Sequence, residues 1–204
     1  MAETCMEKVF SEQEYYAQTF ADLDLRGQTL EGITFDSCIF RHCDLSGATL
    51  SRCKLVDCGF HECNLANLHP GYSLLHDVTF SQCKITGVDW TRVRWSGLMV
   101  DAPVEFIRCV LSFSSFLGLR LKGLKLEECR AHEVDFRNGD FSHAQFAGTD
   151  FTHSLFGETN LNGADFSDAS RYDIDIRNCR VDKAKFSHYE AVRLLEILGI
   201  EIVD

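Results

Sequence analysis

The chain has 204 residues, with 31 acidic against 20 basic side chains and a formal net charge of −11. That length suits one domain or one continuous repeat array, and that charge excludes a direct grip on nucleic-acid phosphates while favouring a basic protein surface as partner. No stretch approaches the roughly 18 apolar residues of a membrane span. Met1 to Phe20, acidic and without an apolar run, lacks the form of a signal peptide, so a soluble cytoplasmic protein is expected.

From Phe20 onward every fifth residue is large and apolar: Phe20, Leu25, Leu30, Phe35, Phe40 and so on to Val100, with Pro70 the one exception. The phase slips by one residue near Pro103 and resumes from Phe106 to Phe186, where Ala131 and Arg171 are the exceptions. Two places before the large residue stands, in most units, a compact one, for example Cys38, Cys43, Ala48, Cys53, Ser114, Ala144 and Thr159. Neither the helix period of about 3.6 nor the strand period of two accounts for these columns. The unit small–polar–Leu/Phe–x–x, seen in Cys43-Asp44-Leu45, Thr159-Asn160-Leu161 and Ala164-Asp165-Phe166, resembles the pentapeptide-repeat family over about residues 15–187.

Two inward residues in five leave three for solvent, and four such units close a square coil of twenty residues. Coils stacked as parallel strands rise roughly 4.8 Å each, giving a rod roughly 40 Å long. The expected fold is therefore all-β: a right-handed quadrilateral parallel β-helix over residues 1–187, in two stacks divided by the phase break near 101–105. Residues 188–204 follow as a C-terminal capping α-helix and tail. No single coil buries its own face, so stability comes from stacking on neighbours.

The irregular places follow in order. Pro70-Gly71 is a turn signal inside an unbroken phase, read as a local kink or bulged corner. The break around Pro103 reads as one extra residue in a bulge or short loop. Arg171 reads as a corner turned outward. Nine of the ten cysteines, all but Cys5, fall in the compact column. With parallel vectors one strand apart they suit apolar filling better than disulfides, and no CxxC pair suggests zinc. No metal or other cofactor is expected.

Ser187-His188-Tyr189-Glu190 has the capping-box form. Ala191, Leu194, Leu195 and Leu198 follow at helical spacing, Gly199 is a natural stop, and Ile200 and Ile202 extend an apolar tail. This segment caps the open solenoid end. Its apolar surplus suggests a homodimer through Ala191, Leu194, Leu195, Leu198, Ile200 and Ile202.

Between Asn138 and Ser170 stand Asp140, Asp150, Glu158, Asp165 and Asp168 with no Lys or Arg. They are read as a partner-binding acidic face, against the alternative of a solvated surface. A narrow rod carrying regular carboxylates has the outline of a DNA mimic. Its one net charge per roughly 4 Å is sparse beside the one per roughly 1.7 Å of duplex DNA, so shape must contribute. No HExxH, GxSxG, P-loop or GxGxxG signature appears, so no catalytic residue is expected. His42, His61, His143 and His153 fall at outward positions.

The two-stack rod and the ending Leu194-Leu195-x-x-Leu198-Gly199-Ile200-x-Ile202 resemble the gyrase-interacting branch of the family, the quinolone-resistance (Qnr) and albicidin-resistance proteins. That resemblance implies a dimer that binds bacterial DNA gyrase or topoisomerase IV and relieves its poisoning by a drug or toxin. The lack of a long inserted loop leans the likeness towards the albicidin-resistance type. A scaffold with a non-topoisomerase partner is the competing reading.

Overall fold

Large side chains every five residues reach one axis only if the chain turns a corner after each. The computed structural model, which describes residues 10–95 and 102–200, shows how it turns. At almost every corner the residue two places after the large one has a left-handed φ, as at Asp22, His42, Glu62 and Arg108. This conformation costs a non-glycine residue roughly 1–2 kcal/mol. Ladder bonds offset it: His42 N–H donates to the His61 carbonyl at 3.0 Å, and Glu62 N–H to that of Ser81 at 3.0 Å.

The coils pair in parallel with a register of twenty, matching Phe20 with Phe40, Phe40 with Phe60 and Phe60 with Phe80. The product is a parallel β-solenoid of about eight turns ending in a single helix. Its four faces are named here by one inward residue each: the Phe35, Phe40, Leu45 and Phe116 faces. Inside, the column residues are buried nearly throughout. Rings on the Phe40 face stack with centroids 5.1 Å (Phe20–Phe40), 4.6 Å (Phe40–Phe60), 5.0 Å (Phe60–Phe80) and 5.2 Å (Phe80–Phe106) apart.

Pro70 keeps its place in the column and is buried. A column residue normally donates its N–H to the coil above, as Leu50 does to His69 at 2.8 Å. Pro70 has no such donor. The corresponding acceptor, the Asp89 carbonyl, receives the Arg92 N–H at 3.3 Å instead, inside a 3₁₀ turn over Trp90–Arg92.

The phase break is larger than the expected single residue. Val78 pairs with Val104 and Phe80 with Phe106, a register of 26, so this coil carries 26 − 20 = 6 extra residues. A whole unit plus one residue looks like a slip of one when counted in fives. Parallel pairing continues above it, matching Phe106 with Leu126. Val100, expected in the column, lies outside the described residues.

A second register change lies near the C-terminal end. Phe156 pairs with Ile174, a step of eighteen, before Phe166 and Phe186 restore twenty. Arg171 turns outward, as expected, because a buried guanidinium without a partner is costly. Tyr172 goes inside in its stead, with ring centroids 5.5 Å from Phe166 and 5.4 Å from Phe186. Ile174 takes the column place expected for Ile176, which is half-buried.

Helix α1 (His188–Glu196) follows directly. Ser187 holds the N-cap position, but its hydroxyl does not cap the helix. It accepts the Asp168 N–H at 2.6 Å, and the Glu190 carboxylate accepts the Arg171 N–H at 2.8 Å. Both polar members of the expected capping box are therefore used to fasten the helix to the last coil. Arg193 adds an ion pair to Asp173 at 2.7 Å.

Candidate partner-binding surface

The compact column does more than fill space. The N–H of Cys43 donates to Sγ of Cys63 at 3.4 Å, and that thiol donates to the Phe40 carbonyl at 3.5 Å. The relay repeats at Cys83, Cys109 and Cys129, each accepting from the coil below at 3.4 Å. Ser73 does the same with oxygen, taking the Cys53 N–H and reaching the Leu50 carbonyl, both at 2.8 Å. The nine cysteines among the described residues are free and buried. Burial pushes the Cys58 thiol up to about 11, and the neighbouring Cys109 thiol pushes Cys83 up to about 12. Among the described residues no three His, Cys, Asp or Glu side chains converge as a metal site.

The five acids Asp140, Asp150, Glu158, Asp165 and Asp168 do not share one face. Asp140 precedes Phe141 and Asp150 precedes Phe151; ten residues is half a coil, so these two lie on opposite sides. Asp165 is on the Phe40 face, and Glu158 and Asp168 stand at left-handed corners. Three of the five are turn formers. Asp140, Asp150 and Asp165 accept the N–H two residues on, from Ser142 at 3.0 Å, Thr152 at 3.0 Å and Ser167 at 2.9 Å. Asx turns of this kind are local chemistry of the repeat, carried equally by Asp44 and Asn64.

Two of the five are spent in ion pairs. Asp150 meets His132 at 3.0 Å and Arg171 at 2.8 Å, and Asp165 meets Lys185 at 2.9 Å. Burial pushes the Asp150 carboxyl up, but hydrogen bonds from Thr152 and His132 outweigh it and hold it at about 2. Hydrogen bonds from Ser167 and then Lys185 hold Asp165 at about 2. Asp140, Glu158 and Asp168 form no ion pair among the described residues and project charge freely. Sequence reasoning missed the pairing because Arg171 and Lys185 lie outside the stretch yet one coil away in space.

The expected dimer residues divide in the same way. Leu194 is buried in the solenoid core and belongs to the cap. Ala191 is half-buried. Leu195, Leu198 and Ile200 are exposed, and Ile202 lies outside the described residues. No helix among those residues is long and apolar enough to cross a membrane.

The chain is similar to known proteins in fold. A trypsin-treated point variant of QnrB1, a plasmid-mediated fluoroquinolone resistance protein, matches with a TM-score of 0.55 and 22% identity. The match covers 94% of this chain and 92% of that one. A second trypsin-treated point variant of QnrB1 gives 0.57 and 21%, covering 91% of this chain and 100% of that one. HetL, a pentapeptide repeat protein involved in heterocyst differentiation regulation from the cyanobacterium Nostoc sp. strain PCC 7120, gives 0.44 and 13%, covering 85% and 87%. No curated protein matches the chain. The family model for the pentapeptide repeat region matches residues 33–111 and 101–166, well over half the sequence. With a register of twenty running through the stacked coils, this places the chain in the pentapeptide-repeat family.

Proposed function

We propose that the protein is a DNA-mimicking partner of a bacterial type II topoisomerase, DNA gyrase or topoisomerase IV, and protects it from a drug or toxin. The observation that carries the reading is the rod itself. A solenoid roughly 40 Å long at strand spacing bears a net charge of −11, with free carboxylates at Asp140, Glu158 and Asp168 on more than one side. Duplex DNA also presents charge on every side, although more densely.

The resemblance of the two-stack rod and the ending to the gyrase-interacting branch supports that choice of partner. The fold likeness to QnrB1 supports the same reading. The exposed stripe Leu195, Leu198 and Ile200 supports a twofold dimer that would lengthen the rod. In this role the protein binds and does not catalyse. The scaffold reading, with a non-topoisomerase partner, draws support from the local pairing of Asp150 and Asp165, which thins the charge.

Competition binding tests the proposal. Labelled protein is titrated with purified gyrase, and duplex DNA is added as competitor. Saturable binding is expected, displaced by duplex DNA and weakened as salt rises. Binding indifferent to both DNA and salt would favour the scaffold.

A further inference from the structure

We propose that the Phe35 face is a side-by-side contact between two antiparallel copies of this chain, separate from the contact expected at α1. On this face one line of outward side chains, each just before a column residue, runs the length of the rod. Ladder pairing joins Glu14, Thr34, Lys54, Leu74 and Arg94 in successive coils up to the phase break. Above it, the same pairing joins Arg120, Asp140, Asn160 and Arg180. Glu14 and Lys54 stand two coils apart at one end, and Asp140 and Arg180 stand two coils apart at the other. Turned end for end, negative-then-positive meets positive-then-negative.

A twofold axis across the Arg94 coil sets Glu14 against Arg180 of the second copy and Lys54 against its Asp140, and symmetry repeats both pairs. Thr34 then meets Asn160, Leu74 meets Arg120, and Arg94 faces its own equivalent. In the two lines alongside no acid faces an acid: Asp36 opposes Asn162, Asp57 opposes His143 and Asp182 opposes Tyr16. Glu14, Lys54 and Arg180 are exposed, and with Asp140 they form no ion pair among the described residues. The hydrogen bonds to the Asp140 carboxylate, from the Ser142 N–H at 3.0 Å and the Asn160 amide at 2.9 Å, both fall on Oδ1, which leaves Oδ2 for Lys54. The six extra residues of the phase break enter at the axis coil, and no contact is assigned to them.

Charge selects the second copy as occupant. The first four coils of the face carry Glu14, Asp36, Asp57 and Asp77 against Lys54 alone. The last four carry Arg120, Lys122, Arg180 and Lys183 against Asp140 and Asp182. A uniformly acidic or basic partner loses at one end what it gains at the other, whereas an antiparallel copy matches both. Two molecules of net −11 repel as wholes. At about 0.1 M salt the Debye length of about 10 Å screens that repulsion more than it screens charges in contact. Exposed ion pairs are individually weak, so the contact forms and parts quickly, and chemistry captures it where dilute sedimentation does not.

Zero-length cross-linking tests it on full chains, half of them isotope-labelled. A carbodiimide activates a carboxylate, and an amine in contact with it displaces the activating group to form an amide. Lys54 and Asp140 of one copy stand four coils, roughly 19 Å, apart, too far to be joined within a chain. The expected product is a Lys54–Asp140 peptide of mixed label, formed equally in Leu195→Asp, which is built to remove the contact through α1. Glu14→Arg alone and Arg180→Glu alone should each cut its yield at least about threefold. The two together keep the parent's net charge and should restore it, and thermal melts verify that each variant is folded. Absence of the mixed-label peptide, a yield unmoved by either single reversal, or a double variant that stays low overturns the proposal.

Discussion

At Cys63 a single side chain satisfies a backbone donor and a backbone acceptor of the coil below it, the Cys43 N–H and the Phe40 carbonyl, and so ties two coils together through the interior. Serine can make the same two bonds, as Ser73 does. Cys63→Ser is therefore expected to leave urea-unfolding stability within about 1 kcal/mol. Cys63→Ala, which leaves the buried N–H of Cys43 without that acceptor, should cost about 1–3 kcal/mol. Equal losses in the two variants would reduce the thiol to filler. The position was legible in the sequence from the five-residue column. The bonds were not, because alanine shares the column and size alone does not separate it from cysteine.

The carboxylates carry a similar double role. Asp150 and Asp165 have pKa values lowered to about 2 in the folded rod, below the roughly 3.9 of an unfolded aspartate. A depressed value gives stability that is present above the unfolded pKa and lost as pH falls through the folded one. Thermal stability should therefore fall between about pH 4 and pH 2, and less so in a variant carrying Asp150→Asn and Asp165→Asn. A double variant as acid-sensitive as the parent would contradict this.

Among the elements, α1 was legible as a helix from its spacing, and Gly199 as its stop from glycine's tolerance of left-handed φ, here +74°. Its inward side was not legible, since Leu194 and Leu195 are equally apolar and only the docked geometry separates them. The two make a paired prediction. Leu194→Ala removes a buried cap residue and should cost about 2–5 kcal/mol. Leu195→Asp should leave the chain folded, its melt no longer dependent on protein concentration, and yield monomers in analytical ultracentrifugation. A dimer that survives Leu195→Asp would remove α1 from the interface. The inserted unit before Val104 escaped the sequence for an arithmetical reason: an insertion of six differs from one of one by a whole repeat.

Across the whole molecule, stacking makes the rod quasi-one-dimensional, each coil supported by its neighbours. The register of twenty follows from the sequence because one large inward residue in five leaves few other ways to bury so many rings. Where charge falls around the rod is not written in any stretch of sequence. Residues twenty apart become neighbours, so a run free of Lys and Arg acquires them from the next coil. The free acids Asp140, Glu158 and Asp168 are thus the sharper probes of function, and amide variants of them keep side-chain size and, at Asp140, the turn bond to Ser142.

The most direct test is quinolone-stabilised DNA cleavage by purified gyrase, measured as the protein is titrated in, beside the triple variant Asp140→Asn, Glu158→Gln, Asp168→Asn. Fewer cleavage complexes are expected at protein levels that spare supercoiling, with that protection lost in the triple variant. Cleavage and supercoiling unchanged at every protein concentration would contradict it.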